Sequence, residues 1–148
     1  MIGQTERYEN IINKLRSDGF RITPQRLSII KVLISDTSHP SIERVYNQVK
    51  TDFPTTSLAT IYKTVAMLKD MGELMEISLG DGSNRVDGYT PDPHPHLICT
   101  RCKKIVDADV DEVNAVNTAL SQTYGFKITG HRLDFFGLCP ECQKHSKN

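Results

Sequence analysis

The sequence has no tryptophan, a formal net charge of zero, and no apolar run as long as the roughly 20 residues of a membrane span. Zero net charge means that bulk composition does not indicate a nucleic-acid partner, although residues 1–31 carry six Lys and Arg against three Asp and Glu. With 38% hydrophobic and 24% charged residues, the chain has the composition of an ordinary globular protein. Its 148 residues suffice for one domain or two small ones.

Several sequence patterns of enzymes and exported proteins are also missing. We see no secretory signal, so we expect a cytoplasmic, reducing environment that disfavours disulfides. The chain lacks the H-E-x-x-H of metallopeptidases and the H-x-E of zinc deaminases, and its C-x-x-C pairs do not lie in a βαβ pattern of redox proteins. We therefore expect that the protein is not an enzyme.

All four cysteines of the chain lie in two C-x-x-C pairs, separated by 36 residues. A C-x-x-C turn can hold two thiolates on one tetrahedral Zn²⁺, and two such turns complete a Cys₄ shell. Such a closed shell is structural and not catalytic. The alternatives are disulfides or buried thiols that act as small apolar groups. The sequence thus predicts one structural zinc ion per subunit, bound by Cys99, Cys102, Cys139 and Cys142.

The first half of the chain predicts four helices followed by a β-hairpin. Apolar residues at helical spacing, together with caps at Thr23, Ser41 and the Thr55–Ser57 cluster, predict helices over 5–17, from Pro24, from Ser41 and over about 58–71. Alternation over 73–79, a glycine turn and a return over 84–87 predict the hairpin. This order of elements is the layout of a winged helix–turn–helix domain.

The fourth predicted helix has two distinct faces. Leu58, Ile61, Val65 and Leu68 form its apolar stripe, and the other side presents small, polar, basic and aromatic residues. Such a face suits a DNA major groove, but taken alone it is more often merely solvated. Arg85 is predicted on the wing, where it reaches DNA phosphate or the minor groove, or is simply a surface charge.

A proline-rich stretch separates the two halves of the chain. Pro91, Pro93 and Pro95 make a stiff connector, so we predict a winged-helix domain over 1–88, a hinge over 89–96 and a zinc-binding domain over 97–148. In the last part we expect strands at 97–98, 104–108 and 126–138, and a helix over 111–124. The predicted fold class is α+β: an N-terminal winged helix–turn–helix domain plus a C-terminal α/β domain with the Cys₄ zinc site.

A second group of metal-binding side chains surrounds the hinge. His94 and His96 face the same side of an extended segment, and His39, Asp87 and Asp107 are further candidates. Three imidazoles and two carboxylates suit Fe²⁺, Mn²⁺ or Zn²⁺. Taken singly, each of these residues is more often a cap, a turn residue or a surface group.

The order of these motifs resembles the Fur family of bacterial metal-responsive repressors, over essentially the whole chain. The matching stretches are Arg21-Ile-Thr-Pro-Gln-Arg26, Ser38-His39-Pro40, Ala59-Thr60-Ile61-Tyr62-Lys63, Arg85-Val-Asp87, His94-x-His96-x-x-Cys99-x-x-Cys102 and Cys139-x-x-Cys142. Within the family the chain is most similar to the peroxide-sensing repressors. They typically carry Asp at the position of Asp107, where iron sensors carry Glu, and here Pro93 and Pro95 stand where iron sensors tend to have additional ligands.

The resemblance implies a homodimer that binds a palindromic double-stranded DNA operator, with no membrane partner and no small-molecule substrate apart from peroxide as the signal. It implies one regulatory Fe²⁺ or Mn²⁺ per subunit, bound by His39, Asp87, His94, His96 and Asp107. We assign DNA contacts to Arg21, Ser57, Ala59, Thr60, Tyr62, Lys63 and Arg85. With Fe²⁺ bound, peroxide would oxidise His39 or His94 and end repression. The alternative is an iron- or zinc-sensing repressor of the same fold without peroxide chemistry.

Overall fold

A computed structural model of the protein describes residues 3–90 and 92–145. Within these ranges the chain forms six helices and five strands, which confirms the predicted α+β class. The chain divides into two compact units, Met1–Pro91 and Asp92–Asn148. The point of division lies inside the range 89–96 that the sequence analysis assigns to the hinge. The two units are described separately below.

The first unit consists of four helices and a two-stranded hairpin, as the sequence predicts for a winged helix–turn–helix. Its elements are α1 (Gln4–Ser17), α2 (Pro24–Ser35), α3 (Ile42–Asp52), α4 (Leu58–Asp70), β1 (Met75–Ser78) and β2 (Asn84–Asp87). Strands β1 and β2 are antiparallel, and their register pairs Met75 with Asp87 and Ser78 with Asn84. The hairpin therefore brings Asp87 back to the base of the wing.

Three of these helices begin at side-chain caps that the sequence predicts. The hydroxyl oxygens of Thr23, Ser41 and Ser57 each accept a hydrogen bond of 3.2 Å from the backbone N–H three residues later. These bonds satisfy amides that would otherwise lack a partner at a helix start. The caps set where α2, α3 and α4 begin, and so where the loops between them lie.

The core of the first unit is formed by the apolar stripes of all four helices and by the hairpin. One prediction for α4 is wrong, because Leu58 is 39% exposed while Ile61, Val65 and Leu68 are buried. Leu58 is the first residue of the helix, where no preceding turn lies beneath its side chain. The fully buried members of the core include Leu15, Ile29, Ile30, Leu33, Val45, Ile61 and Leu68.

The second unit has a three-stranded sheet and two helices. Its elements are β3 (His96–Cys99), β4 (Ile105–Asp107), α5 (Asp111–Tyr124), β5 (Asp134–Gly137) and α6 (Pro140–Lys144). The strand order is β4-β3-β5, with β3 antiparallel to β4 and parallel to β5. Strand β3 is therefore the central strand, and His96 and Cys99 stand at its two ends.

The structure corrects the predicted strand over residues 126–138. Only Asp134–Gly137 forms a strand, because its partner β3 offers only the four residues His96–Cys99 for pairing. The short helix α6 was not predicted. Pro140 occupies its first turn and Cys139 is its N-cap, so this helix begins within the second C-x-x-C pair.

Many large apolar side chains of the second unit are exposed in the single chain. Helix α5 has no buried residue among those described, although Val116 and Leu120 form an apolar stripe on it. Phe135 and Phe136 on β5 are each more than half exposed. Exposed apolar surface of this extent is typical of a protein–protein interface. None of the described helices is long and apolar enough to cross a membrane.

Candidate metal centres

The Cys₄ group is assembled by the sheet of the second unit. Cys99 ends β3, and the turn that follows carries Cys102, with the Lys103 N–H donating to the Cys99 carbonyl at 3.0 Å. The parallel pairing of β3 with β5 sets Gly137 opposite Cys99, so Cys139 follows two residues later. Cys142 lies in the first turn of helix α6, so it comes close to Cys139, the N-cap of this helix. Pairing between strands thus joins two motifs that are far apart in sequence.

The distances between the sulfur atoms fit a tetrahedral zinc ion. All four Sγ atoms lie within 4.8 Å of one another, and the Cys102 and Cys139 sulfurs are 3.7 Å apart. A tetrahedron with Zn–S bonds of about 2.3 Å has edges of about 3.8 Å. A disulfide needs only about 2.05 Å between its sulfurs, and all four cysteines are free thiols. The geometry therefore supports the zinc site and excludes the alternative of disulfides.

The thiols of this group differ in how readily they ionise. The backbone N–H groups of Cys139 and Cys102 lower the pKa of Cys99 to about 5, and the first of them donates to its sulfur at 3.4 Å. Burial, reinforced by the neighbouring sulfurs, raises the pKa of Cys142 to about 12. The Cys142 thiol therefore stays protonated near neutral pH unless a cation offsets the charge of its thiolate. This donor set is the one that Zn²⁺ requires.

In the first unit, a loop between α2 and α3 pairs with strand β2. The Asp36 carboxylate accepts a hydrogen bond of 2.8 Å from the Ser38 N–H, and His39 adopts a left-handed φ of 53°. Two consecutive carbonyls of this loop then receive donors from β2. The Arg85 guanidinium donates to the His39 carbonyl at 3.1 Å, and the Val86 N–H donates to the Pro40 carbonyl at 3.0 Å.

This docking brings His39 and Asp87 together. Nε2 of His39 lies 3.4 Å from Oδ2 of Asp87, and both side chains are buried. The other carboxylate oxygen of Asp87 accepts a hydrogen bond of 3.3 Å from the Thr90 N–H. Gly88 comes directly after Asp87 in the sequence. Because Gly88 has no Cβ, its backbone can lie close to the Leu33 carbonyl oxygen. A buried imidazole beside a buried carboxylate is a suitable pair of ligands for a divalent metal.

In the second unit, His94, His96 and Asp107 form a cluster at the edge between β3 and β4. The antiparallel register pairs His96 with Asp107. Oδ1 of Asp107 lies 3.0 Å from Nε2 of His94 and 3.4 Å from Nε2 of His96. The two imidazole rings are 4.5 Å apart between centroids, at an angle of 60°.

Every ring nitrogen of this cluster faces a hydrogen-bond acceptor. Nδ1 of His94 lies 2.7 Å from the Asp92 carbonyl oxygen, and Nδ1 of His96 lies 3.3 Å from Oδ1 of Asp134. A neutral imidazole has one N–H and one lone pair, so an Nδ1–H leaves the Nε2 lone pair facing the Asp107 oxygen. A metal ion bound to both Nε2 atoms and to Asp107 removes this conflict, so the cluster fits a metal.

Asp134 is a residue of this cluster that the sequence analysis did not identify. It lies opposite His96 in the parallel β3–β5 register. No motif marks it, and its position depends on which two strands pair. The other predicted regulatory residues have the local partners described above within their own units, but their joint role as ligands of one metal stays a prediction.

The predicted DNA-contacting residues have different surroundings. Arg21, Ala59, Tyr62 and Lys63 are exposed, the last three of them on α4, and Thr60 is half-buried. The Ser57 hydroxyl caps α4 and lies 2.9 Å from the Thr60 hydroxyl. Arg85 is half-buried, and its guanidinium donates to the His39 carbonyl. The geometry thus gives Ser57 and Arg85 structural partners, whereas the exposed face of α4 is free to meet a ligand.

The chain matches the sequence model described as the ferric uptake regulator family over residues 17–136. It is 40% identical over 135 residues to the peroxide-responsive repressor PerR of Staphylococcus saprophyticus, covering 91% of this chain and 90% of the relative. The solved structure of PerR from Streptococcus pyogenes shares 35% identity with a TM-score of 0.52, covering 92% of each chain. The ferric uptake regulator Fur of Helicobacter pylori shares the fold, with 22% identity, a TM-score of 0.80 and coverage of 95% and 96%.

We predict that Cys142→Ser abolishes zinc binding and destabilises the second unit. Three sulfurs leave the shell open, and this unit has few buried apolar residues to compensate for the lost metal. Elemental analysis should show zinc falling from one ion per chain to nearly none, and the melting temperature should fall. His145→Ala, a change of an exposed residue three positions later, is the matched control and should keep full zinc. Retention of zinc by Cys142→Ser would contradict the assignment.

We also predict that zinc affinity rises with pH. Between the pKa of Cys99 near 5 and that of Cys142 near 12, the first thiol is already ionised and the second is protonated. Zinc binding therefore releases at least the Cys142 proton, and affinity should rise about tenfold per pH unit for each proton released. The stability that zinc confers is present at high pH and is lost as pH falls. Competition with a chelator between about pH 6 and 8 measures the slope, and a flat profile would contradict the prediction.

Proposed function

This chain belongs to the ferric uptake regulator family, and we propose that it is a metal-dependent transcriptional repressor that responds to hydrogen peroxide. Regulators of this family bind DNA and dimerise, and they are not enzymes. The observation that carries the proposal is the cluster of His94, His96 and Asp107, in which each ring nitrogen faces an acceptor oxygen. A cluster of this kind binds a metal when the protein is active.

In this proposal two metals have separate tasks. Zinc bound by the Cys₄ group holds β3 and β5 together and supports the dimerisation domain. Fe²⁺ or Mn²⁺ is the regulatory metal, and its ligands are His39 and Asp87 of the first unit and His94, His96 and Asp107 of the second. Mixed imidazole and carboxylate ligands suit both ions.

The proposed ligands come from both sides of the hinge, which gives the metal its regulatory effect. Residues 1–88 would bind DNA, residues 89–96 would act as the hinge, and residues 97–148 would dimerise. A ligand set shared between two domains favours the arrangement in which all ligands meet, so metal binding and DNA binding are coupled. Without the metal, the DNA-binding domains would have more freedom and bind DNA more weakly.

The DNA interface of the proposal is the exposed face of α4. Ala59, Tyr62 and Lys63 are exposed on this face, which also includes Thr60 at its edge. A cap at Ser57 leaves the N-terminal end of the helix well defined, which suits insertion into a major groove. Two copies in a homodimer would read two half-sites of a palindromic operator, and Arg21 and Arg85 would contact DNA outside α4.

The second unit supplies the proposed dimer contact. Helix α5 and strand β5 carry exposed apolar residues, and further ones lie on β3, on β4 and in the loops: Leu97, Val106, Val110, Val116, Leu120, Tyr124, Phe126, Phe135, Phe136 and Leu138. Burying this surface against a second copy would remove it from water, at about 25 cal/mol per Å² of apolar area. Regulators of this family dimerise, and this surface is where we place that contact.

Two observations support peroxide as the signal. Relatives that share 40% or 41% identity over 91% of the chain are peroxide-responsive repressors, and the S. pyogenes PerR structure is described as a basis for peroxide sensing. The chain also carries Asp107 at the position where the peroxide-sensing branch has Asp. When bound, Fe²⁺ would catalyse the opening of the O–O bond of hydrogen peroxide, and the two electrons of this reduction would come from the imidazole that is oxidised.

The histidines of the chain then convert this reaction into a signal. One oxygen atom of peroxide is added to the imidazole of His39 or His94, and the other leaves as water. An oxidised imidazole is a weaker ligand, so the ligand set is incomplete and the domains are released. Mn²⁺ would use the same residues but would leave the imidazoles intact.

We predict an added oxygen on His39 or His94 after peroxide treatment of the Fe²⁺-loaded protein. Peptide mass spectrometry detects the gain of one oxygen atom, and the Mn²⁺-loaded protein treated in the same way is the control. Oxidation only in the iron sample would support peroxide sensing. No histidine oxidation in either sample, with metal binding verified, would instead indicate an iron or zinc sensor of the same fold.

We further predict that His39→Ala weakens metal-dependent DNA binding at least about tenfold, because it removes one proposed ligand. The DNA for this test is selected from a random pool by the Mn²⁺-loaded wild-type protein, and binding is measured by fluorescence anisotropy with and without Mn²⁺. His145→Ala should bind this DNA as the wild type does. If His39→Ala retains full Mn²⁺-dependent binding, His39 is not a regulatory ligand.

A further inference from the structure

We propose that Asp134 is a positioning residue of the regulatory metal site. Its carboxylate accepts the Nδ1–H of His96 and thereby keeps the Nε2 lone pair of that ring available to the metal. The inference rests on the proposed function, in which His96 is a ligand. It extends the site by a residue that touches no metal and acts through His96 alone.

The backbone sets Asp134 beside His96. Strands β3 and β5 are parallel with His96 opposite Asp134, and the His96 N–H donates to the Leu133 carbonyl at 3.0 Å. The side chains then meet, with Nδ1 of His96 3.3 Å from Oδ1 of Asp134. The His96 side chain is 1% exposed and the Asp134 side chain 19%, so solvent screens this contact little.

Two carboxylates therefore flank one buried imidazole, on opposite ring nitrogens. Asp107 faces Nε2 and Asp134 faces Nδ1. The two nitrogens of an imidazole point in different directions, so Asp134 cannot share a metal with the Nε2 atom that Asp107 faces. Asp107 is thus suited to be a ligand and Asp134 to be the acceptor that fixes the tautomer. The second oxygen of Asp134 lies 3.9 Å from Nη2 of Arg132.

His94 has the same arrangement with a weaker acceptor. Its Nδ1 faces the neutral carbonyl of Asp92 at 2.7 Å, while Nδ1 of His96 faces a charged carboxylate. A hydrogen bond to a carboxylate is stronger than one to a neutral oxygen, and it makes the imidazole a better electron donor to a metal. The side chain of Asp134 therefore adjusts the binding strength of His96.

The first part of the test examines the His96 ring without the regulatory metal. Full-length, zinc-loaded protein with ¹⁵N-labelled histidines is studied by NMR, and His96→Gln identifies the His96 signals. Wild-type His96 should carry a proton on Nδ1, the nitrogen that faces Asp134. Asp134→Ala should shift this ring towards a mixture of tautomers. An unchanged His96 spectrum in Asp134→Ala would overturn the proposal, whether or not the protein binds Mn²⁺.

The second part measures Mn²⁺ affinity by calorimetry in the same zinc-loaded proteins. Asp134→Ala should weaken Mn²⁺ binding about 10- to 100-fold, as for other carboxylates that support a ligand histidine. Asp134→Asn, whose amide oxygen is a weaker acceptor, should give an intermediate loss, and Asp134→Glu should recover part of the affinity. Asp111→Asn, which neutralises an exposed carboxylate at the start of α5, is the matched control and should bind as the wild type does.

The outcomes distinguish a positioning role from a general loss of structure. Weaker Mn²⁺ binding by Asp134→Ala and Asp134→Asn, with one zinc per chain and an unchanged oligomeric state, supports the proposal. Unchanged Mn²⁺ affinity in both variants, or loss of zinc in parallel with Mn²⁺, contradicts it. Failure of the wild-type protein itself to bind Mn²⁺ or Fe²⁺ would overturn the proposed function, and the NMR result would still decide the role of Asp134.

Discussion

The parallel pairing of β3 with β5 is the interaction on which both the Cys₄ group and the contact of Asp134 with His96 depend. At one end of this four-residue ladder Cys99 lies opposite Gly137, which brings Cys139 and Cys142 to the first C-x-x-C pair. At the other end His96 lies opposite Asp134. A ladder this short has little stability of its own, so a zinc ion across one end would also hold the other end in register.

In the first unit, hydrogen bonds between a strand and a loop position the proposed ligands. Strand β2 docks on two successive carbonyls of the loop before α3, and this docking pairs His39 with Asp87. His39 adopts a left-handed backbone conformation to do so, which costs free energy unless the surrounding structure compensates for it. Strain of this kind is commonly found at functional sites, and here it lies at a proposed ligand.

Electrostatics links these arrangements to the function of a Fur-family regulator. Burial raises the pKa of the Cys142 thiol, and the Nε2 atoms of His94 and His96 both face one carboxylate oxygen of Asp107. In each case a divalent cation supplies the missing positive charge. The Cys₄ group and the cluster of His94, His96 and Asp107 are therefore both stabilised by a bound cation. This dependence on a cation is the physical basis of a metal-responsive protein.

The sequence by itself determined the features that depend on local physics. Helix caps at Thr23, Ser41 and Ser57, the helix Asp111–Tyr124 and the two C-x-x-C turns follow from neighbouring residues, and the structure confirms them. The order of the motifs was also enough to predict the family. These features need no knowledge of which distant segments meet.

Only the tertiary structure decided the features that depend on pairing between distant segments. The length of β5, the hydrogen bond from Arg85 to the His39 carbonyl and the contact of Asp134 with His96 all belong to this group. Residues 96 and 134 lie on strands separated by a turn, a strand and a helix, and nothing in their local sequence states that the strands are parallel and adjacent. The Cys₄ group and the candidate regulatory ligands could therefore be proposed from motifs in the sequence, whereas Asp134 could be found beside His96 only after the register was known.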